Sequence, residues 1–120
     1  MKVCITSQGP DLKSPVDPRF GRAAFFIVVD VDTGEFQAVD NKQNLQAAQG
    51  AGVQAAQNAA GLGCRAVITG NCGPKAYMTL QNAGIGVYTG ADGTVEDALE
   101  AYKQDKLEKA TGPNARAHWQ

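Results

Sequence analysis

Ala66-Val67-Ile68-Thr69-Gly70-Asn71-Cys72-Gly73-Pro74-Lys75 reads as a buried strand, a tight turn and the start of a helix. Its first four residues are short, apolar and partly β-branched, the pattern of a parallel strand covered on both faces. Gly70 and Gly73 let the backbone turn sharply. Pro74 suits the first helical position, where the missing N–H costs nothing. Unpaired N–H groups at such a helix start attract anions. The turn is therefore either an anion pocket at a strand's carboxyl end or an ordinary strand-to-helix connection.

Downstream, residues 75–83 read as a helix with Ala76, Leu80 and Ala83 inward, ended by Gly84. Residues 85–88 form another short buried strand. Thr94 can N-cap a last helix, with Asp97 near its positive end. Val95, Ala98, Leu99 and Tyr102 supply that helix's core stripe at i, i+3, i+4 and i+7. Upstream, residues 46–61 are rich in alanine and glutamine, and Val53, Ala56 and Ala60 make a stripe of small side chains. Gly61-Leu62-Gly63 ends that helix. Gly50-Ala51-Gly52 lacks the third glycine of a dinucleotide fingerprint and follows no strong strand. It is a close packing point or a flexible helix start that admits a ligand. Residues 46–52 combine glycines with few bulky anchors, so they are expected to be mobile without ligand.

Nearer the start, Lys2–Ser7 reads as the first strand. Residues 25–32 and 35–41 form an antiparallel hairpin across Asp32-Thr33-Gly34-Glu35. Asp30 and Asp32 are either a paired carboxylate site or part of the hairpin's solvated face. A strand, a hairpin, then α-β-α-β-α predicts an α/β fold. It is a ribonuclease-H-like mixed sheet, an antiparallel hairpin portion plus a parallel βαβ portion, with helices on its faces. Residues 1–109 are expected to form a single domain. Residues 110–120, with the sole histidine His118 beside Trp119, read as a flexible tail or a flap over the pocket.

The totals exclude several classes. At 120 residues and 43% hydrophobic, the chain suits one domain with a real core. A net charge of -1 argues against a nonspecific nucleic-acid binder. No apolar run approaches membrane-span length, and no signal-peptide core precedes the first strand, so a cytoplasmic protein is expected. Cys4, Cys64 and Cys72 show no CxxC spacing, which suggests neither a disulfide framework nor a zinc site. Cys4 and Cys64 read as small core residues. Cys72 lies in the turn, where a helix start can lower a thiol's pKa. It is a buried structural residue, a reactive thiol or a metal ligand.

Strand ends after Ser7, Gly70 and Thr89 are expected along one edge of the sheet, with the Arg19–Arg22 loop closing over them. In that loop Arg19 and Arg22 flank Phe20-Gly21. An aromatic anchor would fix the loop while the guanidinium groups bind an anion; alternatively both are solvated or pair with Asp17 and Asp30. A two-metal nuclease needs a carboxylate cluster, but Thr6, Ser7, Gln8 and Gly70-Asn71-Cys72 contain no acid. No histidine accompanies Cys72 in a predicted core element, and there is no P-loop. Glycines, neutral polar groups and arginines suit holding a preformed anion.

The chain resembles the dinitrogenase iron–molybdenum cofactor biosynthesis family, small cluster carriers of ribonuclease-H-like fold. The resemblance runs over roughly residues 1–107 and rests on four stretches. They are Val16-Asp17-Pro18-Arg19-Phe20-Gly21-Arg22-Ala23 with Phe26, Gly50-Ala51-Gly52, Val67 to Ala76, and Gly93-Thr94-Val95-Glu96-Asp97-Ala98-Leu99. What it implies is noncatalytic binding, storage or delivery of an anionic metal–sulfur cluster. The length is similar to that of a stand-alone member carrying a molybdenum–copper sulfide cluster; an iron–molybdenum type is the other possibility. The implied cluster-binding residues are Ser7, Arg19, Phe20, Gly21, Arg22, Gly50, Gly52, Gly70, Asn71, Cys72, Gly73 and Lys75. Cys72 is the one available thiolate, with noncovalent retention preferred. Implied partners are cluster-donor or acceptor proteins, and neither nucleic acid nor membrane. A metal-free regulatory or adaptor module and an enzyme with Cys72 as nucleophile are the competing readings.

Overall fold

The stretch from Ala66 lies in the middle of a six-stranded mixed sheet. The computed structural model describes residues 1–41 and 50–112. In chain order the elements are β1 (Lys2–Ser7), β2 (Phe25–Asp30), β3 (Phe36–Asp40), α1 (Ala51–Gly61), β4 (Cys64–Ile68), α2 (Pro74–Asn82), β5 (Gly86–Thr89), α3 (Val95–Lys103) and β6 (Glu108–Lys109). The sheet order is β3-β2-β1-β4-β5-β6. β4 runs parallel to both β1 and β5, while β2 and β3 form the expected antiparallel hairpin beside β1.

Alternation along the strands divides the core in two. Cys4, Phe26, Val28, Val67 and Val87 face α1 and α2, meeting Ala55, Ala56, Ala59, Ala76 and Leu80. Val3, Ile5, Ile27, Val29, Ala66 and Ile68 face α3, meeting Val95, Ala98 and Leu99. The alanines of α1 add little side-chain bulk, so that helix can lie close to the sheet. Each fully buried valine, leucine or isoleucine contributes about 1.5–3 kcal/mol. Among the described residues no helix is long and apolar enough to cross a membrane.

Ala60 and Ala83, expected on inward faces, are exposed, because α1 buries Ala55, Ala56 and Ala59 and α2 ends before Ala83. Three further details depart from periodicity. The register between β1 and β4 passes from Lys2↔Cys64 to Val3↔Ala66, so Arg65 is an extra, exposed residue in the ladder. This bulge puts Cys64 and Val67 on the same face despite their odd spacing. There Cys4 and Cys64 lie in one buried apolar cluster. The influence of Cys64, with burial, raises the Cys4 pKa; the influence of Cys4, helped by the Lys2 charge, lowers that of Cys64 against its burial.

The second departure is β6, which pairs antiparallel with β5. Glu108-Lys109 carries no apolar signal, and the strand forms because the β5 edge offers bonds. The Ala110 N–H donates to the Val87 carbonyl at 2.8 Å, and the Tyr77 hydroxyl donates to the Ala110 carbonyl at 3.4 Å. Residues 42–49, which include most of the segment expected to be mobile, and 113–120 with His118-Trp119 lie outside the described residues.

The third concerns Asp30 and Asp32, which close the hairpin turn. Asp30 accepts the N–H groups of Asp32 and Thr33 at 2.9 and 3.3 Å, which lowers its pKa. Asp32 meets the N-terminal amine at 3.1 Å. Asp30 therefore serves the turn, and among the described residues no arginine pairs with it.

Candidate functional site

A helix that links parallel strands runs antiparallel to them. The N-termini of α1 and α2 accordingly stand at the carboxyl end of β4, side by side on one face. Both helices begin at a glycine, Gly50 (φ 103°) and Gly73, without a side-chain cap and with no acidic residue in the first turn. The contrast with α3 is sharp. There the Thr94 hydroxyl accepts the Asp97 N–H at 3.1 Å, the Thr94 N–H donates to the Asp97 carboxylate at 3.0 Å, and Glu96 adds a second negative charge. Two helix ends thus keep their positive partial charge facing one edge, while the third is neutralised.

Residues 16–22 cross that edge and are held by backbone bonds. The Asp17 N–H donates to the Thr6 carbonyl at 3.0 Å, and the Thr6 hydroxyl donates to the Asp17 carbonyl at 2.7 Å. The Thr69 hydroxyl lies 2.9 Å from that of Thr6, joining β1 to β4 under the loop. The Asn71 N–H then donates to the Pro18 carbonyl at 2.7 Å, and the Phe20 N–H to the Asn71 carbonyl at 3.1 Å. The third strand end joins the group through the Gly90 N–H, which donates to the Gly70 carbonyl at 3.0 Å. Clustering of the ends after Ser7, Gly70 and Thr89 is as expected.

Gly70 is required for a different reason from the one its sequence context suggests. Neither it nor Gly73 has a positive φ. A Cβ on Gly70 would stand 2.8 Å from the Pro18 Cα and 2.9 Å from the Pro18 carbonyl oxygen, both backbone atoms that cannot swing aside. The glycine permits the loop to lie on the turn. Gly70→Ala is expected to cost about 1–3 kcal/mol. Urea unfolding would measure the loss, and faster hydrogen exchange at the Phe20 and Asn71 amides would locate it.

Phe20 is the predicted anchor. It is 1% exposed, and its ring stacks on Phe26 with centroids 5.5 Å apart. Asn41 is a second anchor that sequence reading missed. It is fully buried, and its side-chain N–H groups donate to the carbonyls of Ala23 at 2.7 Å and Gly21 at 3.4 Å. A polar residue after a polar strand carries no periodic signal of this role.

Arg19 and Arg22 are both exposed. The Arg19 backbone N–H donates to the buried Asp17 carboxylate at 3.0 Å, and its guanidinium Nε lies 3.8 Å from the same oxygen. The expected pairing with Asp17 is present, yet the Arg19 side chain stays 53% exposed, a charge steered and still accessible. Lys75 is exposed in the first turn of α2. The structure therefore gathers Arg19, Phe20, Gly21, Arg22, Gly70, Asn71, Cys72, Gly73 and Lys75, with the α1 start at Gly50 and Gly52, at one end of one face. Ser7 stands apart. It is fully buried, has the parity of Val3 and Ile5, and so faces α3; its hydroxyl donates to the Gly9 carbonyl at 2.7 Å.

Cys72 is 2% exposed. Burial pushes its thiol up to about 12, the opposite of what a helix start alone would do, because desolvation outweighs the partial charge of the helix end. Among the described residues no group of three or more histidines, cysteines, aspartates and glutamates is placed to hold a metal ion. The donors here are guanidinium, ammonium and backbone N–H groups.

Comparison with known proteins gives concordant results. The model of the family described as dinitrogenase iron-molybdenum cofactor matches residues 1–105. The apo form of the orange protein from Desulfovibrio gigas is 42% identical, with a TM-score of 0.92 covering 95% of this chain and 96% of that one. A putative NifB protein from Thermotoga is 36% identical, with a TM-score of 0.82 over 95% of this chain and 97% of its own. An uncharacterised protein of Methanocaldococcus jannaschii is 31% identical over 96 residues, 78% of this chain and 81% of its own.

Proposed function

We propose, from the premise that this chain belongs to the dinitrogenase iron-molybdenum cofactor family, that it holds an anionic metal–sulfur cluster noncovalently and stores or delivers it as cargo. The observation that carries the reading is the convergence of two uncapped, acid-free helix N-termini beneath a loop that presents Arg19 and Arg22. A sulfide-bridged cluster is bulky, negatively charged and a weak hydrogen-bond acceptor. Backbone amides and guanidinium groups match it, because they offer many weak donors and positive charge without displacing its sulfides.

The protonated, buried Cys72 supports retention by packing and charge over retention by a protein–metal bond. We read the cargo as a molybdenum–copper sulfide cluster, in line with the likeness to the orange protein, and the role as noncatalytic. The same reading takes the sheet as ribonuclease-H-like, residues 1–109 as one cluster-binding domain, residues 110–120 as a tail whose first residue, Ala110, is still bonded to β5 and Tyr77, and cluster donors or acceptors as partners.

The test is a visible absorption spectrum with elemental analysis on protein isolated from its native host. Charge-transfer bands with stoichiometric molybdenum and copper are expected. Protein isolated without metal is expected to gain the same bands on reconstitution with tetrathiomolybdate and copper. Failure of both would displace the carrier reading in favour of a metal-free adaptor that binds a protein. A Cys72→Ser variant is expected to keep the reconstituted bands; their loss would show that the thiol is a ligand.

A further inference from the structure

The amino ends of β4 and β5, away from the cargo site, border a second cleft of about 490 Å³. That volume suits a small molecule, for which sites of about 300–1,000 Å³ are usual. Its floor is the cross-strand pair Ala66 and Gly86, both small, on the face that α3 covers. Tyr88, two positions beyond Gly86 on the same face, and Tyr102 from α3 supply the walls. Their rings meet edge to face with centroids 5.0 Å apart, so each keeps a face that its partner does not cover. Both are half-buried, and among the described residues neither hydroxyl has a hydrogen-bond partner. Arg65, the bulge residue of β4, and Lys109, opposite Tyr88 on β6, hold the rim and are exposed. Lys109 runs back over Gly86, with its Cε 3.4 Å and its Nζ 3.8 Å from where a Cβ on that glycine would stand. Among the described residues no carboxylate lines the cleft or pairs with either cation. A neighbouring hollow that shares the two tyrosines is lined by both Lys103 and Asp105, so its charge is balanced.

We propose that this cleft binds a small planar aromatic anion, a flat ring joined to a phosphate or carboxylate group. The ring stacks on an uncovered tyrosine face, a contact open to any flat heterocycle. Arg65 offers the anionic group a planar fork of donors, and Lys109 offers a point charge. The two tyrosine hydroxyls can each donate or accept a further hydrogen bond. Only a molecule that carries both parts meets both demands. An inorganic anion leaves the tyrosine faces bare, and a neutral ring leaves the two cations without a counter-charge. Glycine at position 86 makes the room, because a side chain there would stand between Tyr88 and Lys109. The inference is independent of the metal–sulfur cargo. It shares no residue with that site, and Gly70 follows the opposite end of β4.

The test is a titration of the full chain with adenosine 5′-monophosphate and, separately, with indole-3-acetate, followed by NMR. Saturable shifts at the Gly86 amide and the Tyr88 and Tyr102 rings are expected for at least one probe, with a Kd below about 1 mM. A response to the first alone assigns a nucleotide, and a response to the second alone assigns an aromatic carboxylate. A response to both supports the shared chemistry. The halves of the probe that binds (adenosine and ribose 5-phosphate, or indole and acetate) should each bind at least about tenfold more weakly. Arg65→Glu and Lys109→Glu, at exposed positions, should each weaken binding about tenfold. Gly86→Val should abolish binding and leave the circular dichroism of the fold unchanged, since Gly86 has no positive φ and valine suits a strand. Silence from both probes would overturn the proposal, as would a half that binds as well as the whole. So would shifts at the Phe20 and Asn71 amides in place of those at Gly86. Unchanged affinity in the Arg65 and Lys109 variants would overturn it too, and these do not depend on how Gly86→Val folds.

Discussion

An Arg19→Glu, Arg22→Glu double variant is expected to lose about a hundredfold in affinity for tetrathiomolybdate. A hydrogen bond to a charged group contributes about 1.5–3 kcal/mol, but both side chains are exposed, and solvent reduces each to about 1 kcal/mol. Reversing the charge adds repulsion, and about 1.4 kcal/mol corresponds to tenfold at each site. The loss should shrink in strong salt, where the screening length falls to about 3 Å. Equilibrium dialysis read by visible absorption would measure it. Unchanged affinity would remove the anion pocket. Arg19→Glu also faces the buried Asp17 with a like charge, so the melting temperature is needed alongside; Arg22→Glu alone gives the binding effect without touching that pair. The Arg19→Lys, Arg22→Lys variant should retain part of the affinity, keeping the charge and losing the planar fork of donors.

Phe20→Ala is expected to show the largest loss of stability, about 3–5 kcal/mol. The ring is 1% exposed and stacked on Phe26, and it belongs to the core beneath α1 and α2 along with Ala23 and Cys72. Its removal leaves a cavity that the loop cannot collapse to fill, since the Pro18 and Asn71 bonds hold the backbone in place. At about 4 °C or more per kcal/mol for a domain of this size, the melting temperature should fall by well over 10 °C. Phe20→Leu should retain most of the stability by filling most of the volume. A loss below about 1 kcal/mol for Phe20→Ala would show that the backbone bonds, and not the ring, pin the loop.

These two expectations divide the site as the physics does. Phe20 ties the loop to the core, and the arginines beside it are left at the surface. The residue types in Pro18-Arg19-Phe20-Gly21-Arg22 already suggest that division, and the structure agrees with it. Ser7 shows the limit of such reading. Local pattern located the strand Lys2–Ser7 with its bounds, but which helices cover each of its faces depends on the crossovers, and Ser7 turns toward α3.

Local pattern determined the element order, the hairpin, the parallel strands and the α3 stripe, because these depend on side-chain periodicity and turn residues within a few positions. It also supplied the basic, glycine-bounded character of the candidate site. Tertiary structure alone decided the rest. The demand for glycine at position 70 comes from Pro18 pressing on it, the role of Asn41 from carbonyls some twenty residues away, and β6 from a free edge on β5. The Cys72 pKa rises because its surroundings exclude water, and Cys64 shares a face with Cys4 and Val67 because one bulge resets the register between two strands. Close approach, desolvation and register are properties of what lies across the fold, and residues distant in sequence provide them.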